Sequence, residues 1–352
     1  MSDSDNPMGT DGFEFVEYTA PDTARLAGLF DAMGFVPVAR HRSKDVTLWR
    51  QGDINFVVNG ESESFAQSFA RVHGPSVCAI GLRVADAAAA LARAVAMGAR
   101  AVQGRVGPME LNIPAIEGIG GSLIYLVDRY GAAGSIWDVD FRALANPGAA
   151  EGAAGLLAVD HLTHNVHRGR MHVWTDFYER IFGFRELRSF EIEGRHTGLH
   201  SRALVSPCGK IRIPINESAD DRSQIAEYLA AYRGEGIQHI ALSSNAITAS
   251  VETLASRGMS FLAPPPDAYY AALDGRLPGH DEDVAALRRL GILIDGEPDG
   301  GRLLQIFTGT VIGPIFFEII QRKGNDGFGE GNFRALFEVM EQDQIDRGRL
   351  VI

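Results

Sequence analysis

Two passages of this chain follow one pattern. "SVCAIGLRVADAAAALARAVAMGARAV" and "GIQHIALSSNAITASVETLASRGMSFL" keep constant register from Val77 and Ile237 to Gly98 and Gly258. Upstream of them, Gly12 to Phe35 and Ala158 to Phe184 share a short strand, a turn, an amphipathic helix and a Gly-Phe pair. Downstream, "SLIYLVDRYG" matches "IFFEIIQRKG". Self-similarity of this length means a chain built twice from one plan. The halves meet at "ALANPGAAEGAAG", Ala143 to Gly155, whose glycine, proline and alanine content marks a linker. Domains are therefore expected over 1–150 and 151–352, each long enough to bury its own core.

Within each half the pattern contains two units of strand, helix and then several strands. The later strands are alternating runs such as "DVTLWRQGDINFVVNG" and "RLLQIFTGTVIGPIFFEII". A doubly wound parallel sheet would need a helix after nearly every strand, and these hairpins count against it. The expected class is α+β, with sheets that curl around a pocket.

A net charge of −12 leaves no basic stripe to neutralise phosphates, which argues against nucleic acid or an anionic membrane as partner and for a small molecule. The opening "MSDSDNPMGTDG" lacks the basic start and apolar run of a secretion signal. The most apolar helical segment, Ala85 to Val102, is broken by Arg93 and Arg100, so no membrane span is expected. Two cysteines, Cys78 and Cys208, are too few for a disulfide framework, and a reducing cytoplasm fits.

The repeat also locates chemistry, because positions equivalent by register face the same cavity. His161 corresponds to Phe15, His239 to Ala79 and Glu318 to Tyr125. In "AVDHLTHNVHRG" the strand alternation sends His161 and His164 to opposite faces, so one ion cannot take both. Phe15 should face the core of its unit; position 161 then faces inward and His164 outward. A single strand histidine is more often a packed or surface residue than a ligand. Two imidazoles and a carboxylate at symmetry-related positions, however, match the open facial triad of non-haem Fe(II) enzymes. A structural zinc site would be closed by a fourth ligand, and none is evident.

At these residues the chain resembles the 4-hydroxyphenylpyruvate dioxygenase family of the vicinal oxygen chelate superfamily. The resemblance runs through "NPMG", "HGPSVC", "GPMELNIPAIEGIGG", "DHLTHNV", "RIPINE", "GEGIQHIA", "PPDAYY", "GILIDG", "LLQIF", "FFEIIQR" and "GFGEGNF", an ordered series over nearly the whole chain. It implies two tandem halves of paired βαβββ modules, each an open barrel. The first half would be metal-free and serve structure and oligomerisation; the second would hold one Fe(II) on His161, His239 and Glu318. It further implies that 4-hydroxyphenylpyruvate chelates the metal through its 2-oxo acid, that O₂ is co-substrate, and that homogentisate and CO₂ are formed in tyrosine and phenylalanine catabolism. A cytoplasmic homo-oligomer, dimer or tetramer, is implied as well.

By motif the resemblance assigns Ser201, Pro214, Asn216, Gln224, Gln305 and Phe307 to the substrate pocket. Gln238 is assigned too, although regular alternation should turn it away from the face of His239. In "GNDGFGEGNFRALFEVMEQDQ" the glycines at 324, 327, 329 and 331 read as a flexible approach to a helix. Phe333 and Phe337 share a face of that helix at i, i+4. With Phe328 they would form a lid over the aromatic ring that keeps water out. The nearest rival is hydroxymandelate synthase, with the same substrate and metal; Pro214, Asn216 and Phe337 resemble the dioxygenase's choices. A catechol-cleaving enzyme of the same superfamily and a metal-free binding module are more distant alternatives. "EGIGGS" lacks the context of a dinucleotide fingerprint and reads as a turn, and the charged stretch from Asp274 to Val284 reads as a solvated loop.

Overall fold

Both halves begin with a strand whose consecutive residues are buried, so its backbone groups must be satisfied by pairing with neighbouring strands. The computed structural model describes residues 6–104, 107, 109–145, 153–297 and 300–350. Most of the expected linker lies outside the described residues. In the first half, β1 (Phe13–Thr19), α1 (Thr23–Ala32), β2 (Val36–His41), β3 (Val46–Gln51) and β4 (Ile54–Asn59) form one unit. After α2 (Phe65–His73), a second unit comprises β5 (Ser76–Arg83), α3 (Ala87–Ala96), β6 (Ala101–Val102), β7 (Ala115–Glu117) and β8 (Leu123–Val127). A short α4 (Trp137–Asp140) and β9 (Phe141–Ala143) close the half.

The second half repeats this order. Its first unit is β10 (Leu156–Val166), α5 (Met171–Phe182), β11 (Arg185–Glu193), β12 (Gly198–Val205) and β13 (Arg212–Ser218). Helix α6 (Gln224–Tyr232) leads to β14 (Gly236–Ser244) and α7 (Ile247–Ser256). Three short helices follow, α8 (Asp267–Ala271), α9 (Leu273–Arg276) and α10 (Val284–Leu290), before β15 (Leu293–Gly296), β16 (Arg302–Phe307), β17 (Phe316–Lys323) and α11 (Glu330–Asp346).

Strand orders are β6-β7-β8-β5-β1-β4-β3-β2-β9 and β11-β12-β13-β10-β14-β17-β16-β15. In each unit the last strand returns parallel to the first, and the two first strands pair antiparallel at the middle of the sheet. Helices α3 and α7 stop at equivalent glycines, Gly98 and Gly258, both at φ +91°, a conformation that L side chains rarely adopt. The two halves share one continuous apolar core, with Phe56 and Phe317 in ring contact across it. No helix among the described residues is long and apolar enough to cross a membrane.

Two local expectations are corrected. The stretch from Asp274 to Val284 is not a solvated loop: Leu277 and His280 are buried, and the His280 imidazole is hydrogen-bonded to Asp274. The intervening charges hid a packed segment, in which Val284 also packs against the core. His164 does leave the pocket, but it does not reach solvent. It is fully buried beneath α5, with Nε2 2.8 Å from the Tyr178 hydroxyl.

Candidate metal centre and substrate pocket

Register alone brings the three proposed ligands together. His161 on β10 pairs with Ala241 on β14, and Ala241 pairs with Glu318 on β17, so the two side chains flank one small residue. His239 lies two positions before Ala241 on the same face of β14. The three donors converge: His161 Nε2 is 3.2 Å and His239 Nε2 3.3 Å from Glu318 Oε2, and the two nitrogens are 3.4 Å apart. Donors about 2.1 Å from a shared ion, subtending right to tetrahedral angles, stand roughly 3.0–3.4 Å apart. The spacing therefore fits a cation.

Proton positions fit it too. An ionised carboxylate only accepts, so His161 Nδ1–H donates to Asp160 Oδ1 at 2.8 Å and leaves Nε2 as a lone pair. Gln238 donates through Nε2 to Gln224 Oε1 (2.9 Å), which turns its own Oε1 toward His239 Nδ1 at 3.0 Å. His239 Nε2 is then also unprotonated, and the Thr163 hydroxyl lies 3.0 Å from it. Such partners fix the tautomer and raise the basicity of metal-binding imidazoles.

Electrostatics agree with a positive charge at the centre. Burial opposes protonation of His161, but the carboxylates of Glu318 and Asp160 outweigh it and raise its pKa. His239 is pushed down, chiefly by burial. Burial alone would raise Glu318, yet the two imidazoles hold it below its ordinary value. In contrast, burial drives His164 down to about 3, so it is a neutral packing residue.

Around the triad lies a pocket lined by polar and aromatic side chains. Ser201 on β12 pairs with Asn216 on β13, two residues from Pro214, and all three line one wall. Gln305 and Phe307 line another from β16, and Phe328, Phe333 and Phe337 cover it from α11 and its approach. Gln224 and Gln238 complete it. A more voluminous open groove of about 810 Å³ adjoins this pocket and shares Gln224, Phe316 and Met340 with it, but among the described residues the convergent donor set lies in the pocket and not in the groove.

Gln238 corrects the expectation from alternation. Thr163 pairs with His239 whereas His164 pairs with Ile237, so Gln238 is the extra residue of a β-bulge, and the bulge re-aims its side chain. The first half has the same irregularity at Cys78, since Glu17 pairs with Ala79 and Tyr18 with Val77. Gly329 is likewise more than a flexible link. It sits at φ +82°, a conformation strained for any L side chain, and a Cβ there would also lie 2.1 Å from Gln305 Oε1 and displace that amide.

Several contributors had carried no assignment. Asp160 holds His161 on β10, the Thr163 hydroxyl of the same strand lies against His239, and Phe316 stacks on the His239 ring with centroids 4.9 Å apart. Strand alternation from His161 would have indicated Thr163; the others emerge only from register. Helix α11 is docked by a polar clasp absent from the sequence expectations. The buried Glu341 carboxylate accepts from the backbone N–H of Arg195, His196 and Thr197 and from the Thr197 hydroxyl, at 2.7–3.0 Å.

Comparison with known proteins gives the following. Residues 4–142 match the family described as hydroxyphenylpyruvate dioxygenase, N-terminal. Residues 158–285 match the glyoxalase/bleomycin resistance protein/dioxygenase superfamily. The chain is 59% identical over 347 residues to the 4-hydroxyphenylpyruvate dioxygenase of Pseudomonas aeruginosa, covering 97% of each. It is 61% identical over 356 residues to hemolysin VllY of Vibrio vulnificus, covering 99% of each. Among solved structures it is similar to a triple mutant of 4-hydroxymandelate synthase from Streptomyces coelicolor, with TM-score 0.82 and 27% identity over 96% of this chain and 100% of that one.

Proposed function

The chain belongs to the hydroxyphenylpyruvate dioxygenase family, and from that membership we propose that it converts 4-hydroxyphenylpyruvate and O₂ to homogentisate and CO₂, with one Fe(II) held by His161, His239 and Glu318. The observation that carries this is the convergence of three buried lone-pair donors in a pocket walled by aromatic rings. An Fe(II) ion bound there supplies a chelation point for the 2-oxo acid and electrons for dioxygen.

The protein's own groups do the rest. Asp160 and Gln238 hold the two imidazoles with Nε2 unprotonated, so accepting a cation requires only that the Thr163 hydroxyl turn away from His239 Nε2. Phe328, Phe333 and Phe337 enclose the substrate ring and exclude water, which protects reactive species from side reactions. Ser201, Asn216 and Gln305 orient the phenol. Gln305 Oε1 is buried and accepts no hydrogen bond among the described residues, so it is available to a ligand hydroxyl. Residues 1–150 serve as a structural half and as the oligomer contact, and a cytoplasmic location fits the two free cysteines.

Product analysis tests the assignment. Incubation with 4-hydroxyphenylpyruvate, Fe(II) and O₂ should yield homogentisate with stoichiometric CO₂. The similarity to 4-hydroxymandelate synthase makes benzylic hydroxylation the alternative, and 4-hydroxymandelate as product would replace the present assignment with it.

A further inference from the structure

The Asp160 that fixes His161 is itself fixed. Arg322, on the same face of β17 as Glu318, grips Asp160 with both prongs: Nε to Oδ2 at 2.7 Å and Nη2 to Oδ1 at 2.8 Å. Its remaining nitrogen, Nη1, donates to the carbonyls of Asn325 (3.1 Å) and Gly327 (2.6 Å), in the segment that leads into α11. The guanidinium carbon lies 5.8 Å from the centre of the Phe328 ring, and that ring stands edge-on to His161 at 5.5 Å. One planar group thus touches the support of a ligand and the root of the lid. Side-chain exposure is 15% for Arg322 and 5% for Asp160, so solvent screens the pair little.

The first half shows that this bridge is not a by-product of the fold. Its counterpart of Asp160 is Glu14, which pairs instead with Arg83 and with the Trp137 indole. Its counterpart of Arg322 is Arg129, which is exposed. The bridge is present only where a metal centre and a lid coexist.

We propose that Arg322 is a positioning residue that couples the two, setting the His161 imidazole through Asp160 and holding the approach to α11 through the Gly327 carbonyl. Loss of the bridge at either end is then felt at the other. A lysine keeps the charge but cannot reproduce two parallel bonds to a carboxylate together with two to carbonyls. This rests on the proposed role of His161 in holding Fe(II).

The test is a double-mutant cycle on the full chain with Arg322→Lys, Asp160→Asn and the pair, read by two measurements. Anaerobic chelator competition gives Fe(II) affinity, and hydrogen exchange of residues 325–333 in metal-free protein reads the lid root. Each single variant should lower Fe(II) affinity about ten-fold or more and accelerate exchange in that segment, and the double variant should be no worse than either single one. Native Fe(II) affinity in Arg322→Lys, unchanged exchange in Asp160→Asn, or effects that multiply in the double variant would overturn the proposal. Unsubstituted protein that binds no Fe(II) would overturn the role of His161 instead, while the exchange arm still decides whether the two ends are coupled.

Discussion

The first and second halves share a backbone plan but fill its centre in opposite ways. In the first half the central row reads Phe15, Gly81, Tyr125, paired in register across β1, β5 and β8. Phe15 packs on Tyr125 and Trp137, each at 5.7 Å between ring centroids, and lies so close over Gly81 that a Cβ there would be 2.5 Å from the ring. The second half has His161, Ala241 and Glu318 in the same row. The barrel supplies convergence; the identity of the residues decides whether rings close it or donors keep it open. Donors alone are insufficient, because each needs a neighbour to hold it. Asp160 and Gln238 do this for the imidazoles, whereas their counterparts Glu14 and Cys78 turn to other partners. The cover differs as well, a four-residue helix bearing Trp137 in one half and the long α11 in the other.

Transplanting the first half's solution should have the largest effect. His161→Phe is expected to abolish Fe(II) binding and lower turnover by at least about 10³-fold, since a metal supplies several kcal/mol of transition-state stabilisation. The ring would also collide with Ala241, so adding Ala241→Gly should recover thermal stability without recovering metal content. Metal analysis and calorimetry on the pair separate the two effects.

Next comes the cover. Glu341→Gln places an amide N–H₂ among backbone donors and should weaken α11 docking by about 1–3 kcal/mol, seen as faster exchange across 330–346 and a raised KM. Burial alone would raise the Glu341 pKa, but the hydrogen bonds from Thr197 and the backbone of 195–197 outweigh it and hold it below its ordinary 4.5. A depressed carboxyl stabilises the docked state fully above that ordinary value and loses its contribution as pH falls below it. The helix should therefore loosen on acidification below about pH 4.5, and this dependence should vanish in Glu341→Gln.

A smaller, purely structural effect is expected in the first half. Gly81→Ala should destabilise the protein by about 1–3 kcal/mol through overpacking against Phe15, with Fe(II) stoichiometry unchanged. Smallest of all, His164→Phe should cost about 1 kcal/mol by stranding the Tyr178 hydroxyl and leave turnover unaltered. Chemical denaturation measures both.

Much of this was legible in the chain because the repeat turned one uncertain pattern into two that check each other. The equivalences of His161 with Phe15 and Glu318 with Tyr125 hold at the level of strand pairing. What stayed hidden depends on departures from regular geometry or on contacts between distant segments. The bulge at Gln238 has no local marker, since nothing in "GIQHIA" distinguishes it from a regular strand. Asp160 reads as an ordinary polar strand residue until Arg322 is brought beside it. Glu341 reads as a solvated helix charge until the turn after β11 closes over it. Buried His280 was masked for the opposite reason, sitting among charges that do face water.

The most direct measurement is an anaerobic Fe(II) titration of metal-free protein in the presence of 4-hydroxyphenylpyruvate, followed by the visible charge-transfer band of the chelated 2-oxo acid. The band should saturate at one Fe(II) per chain and be absent in His161→Ala, His239→Ala and Glu318→Ala. Saturation at two per chain, or a full band in any of these variants, would contradict a single centre confined to the second half.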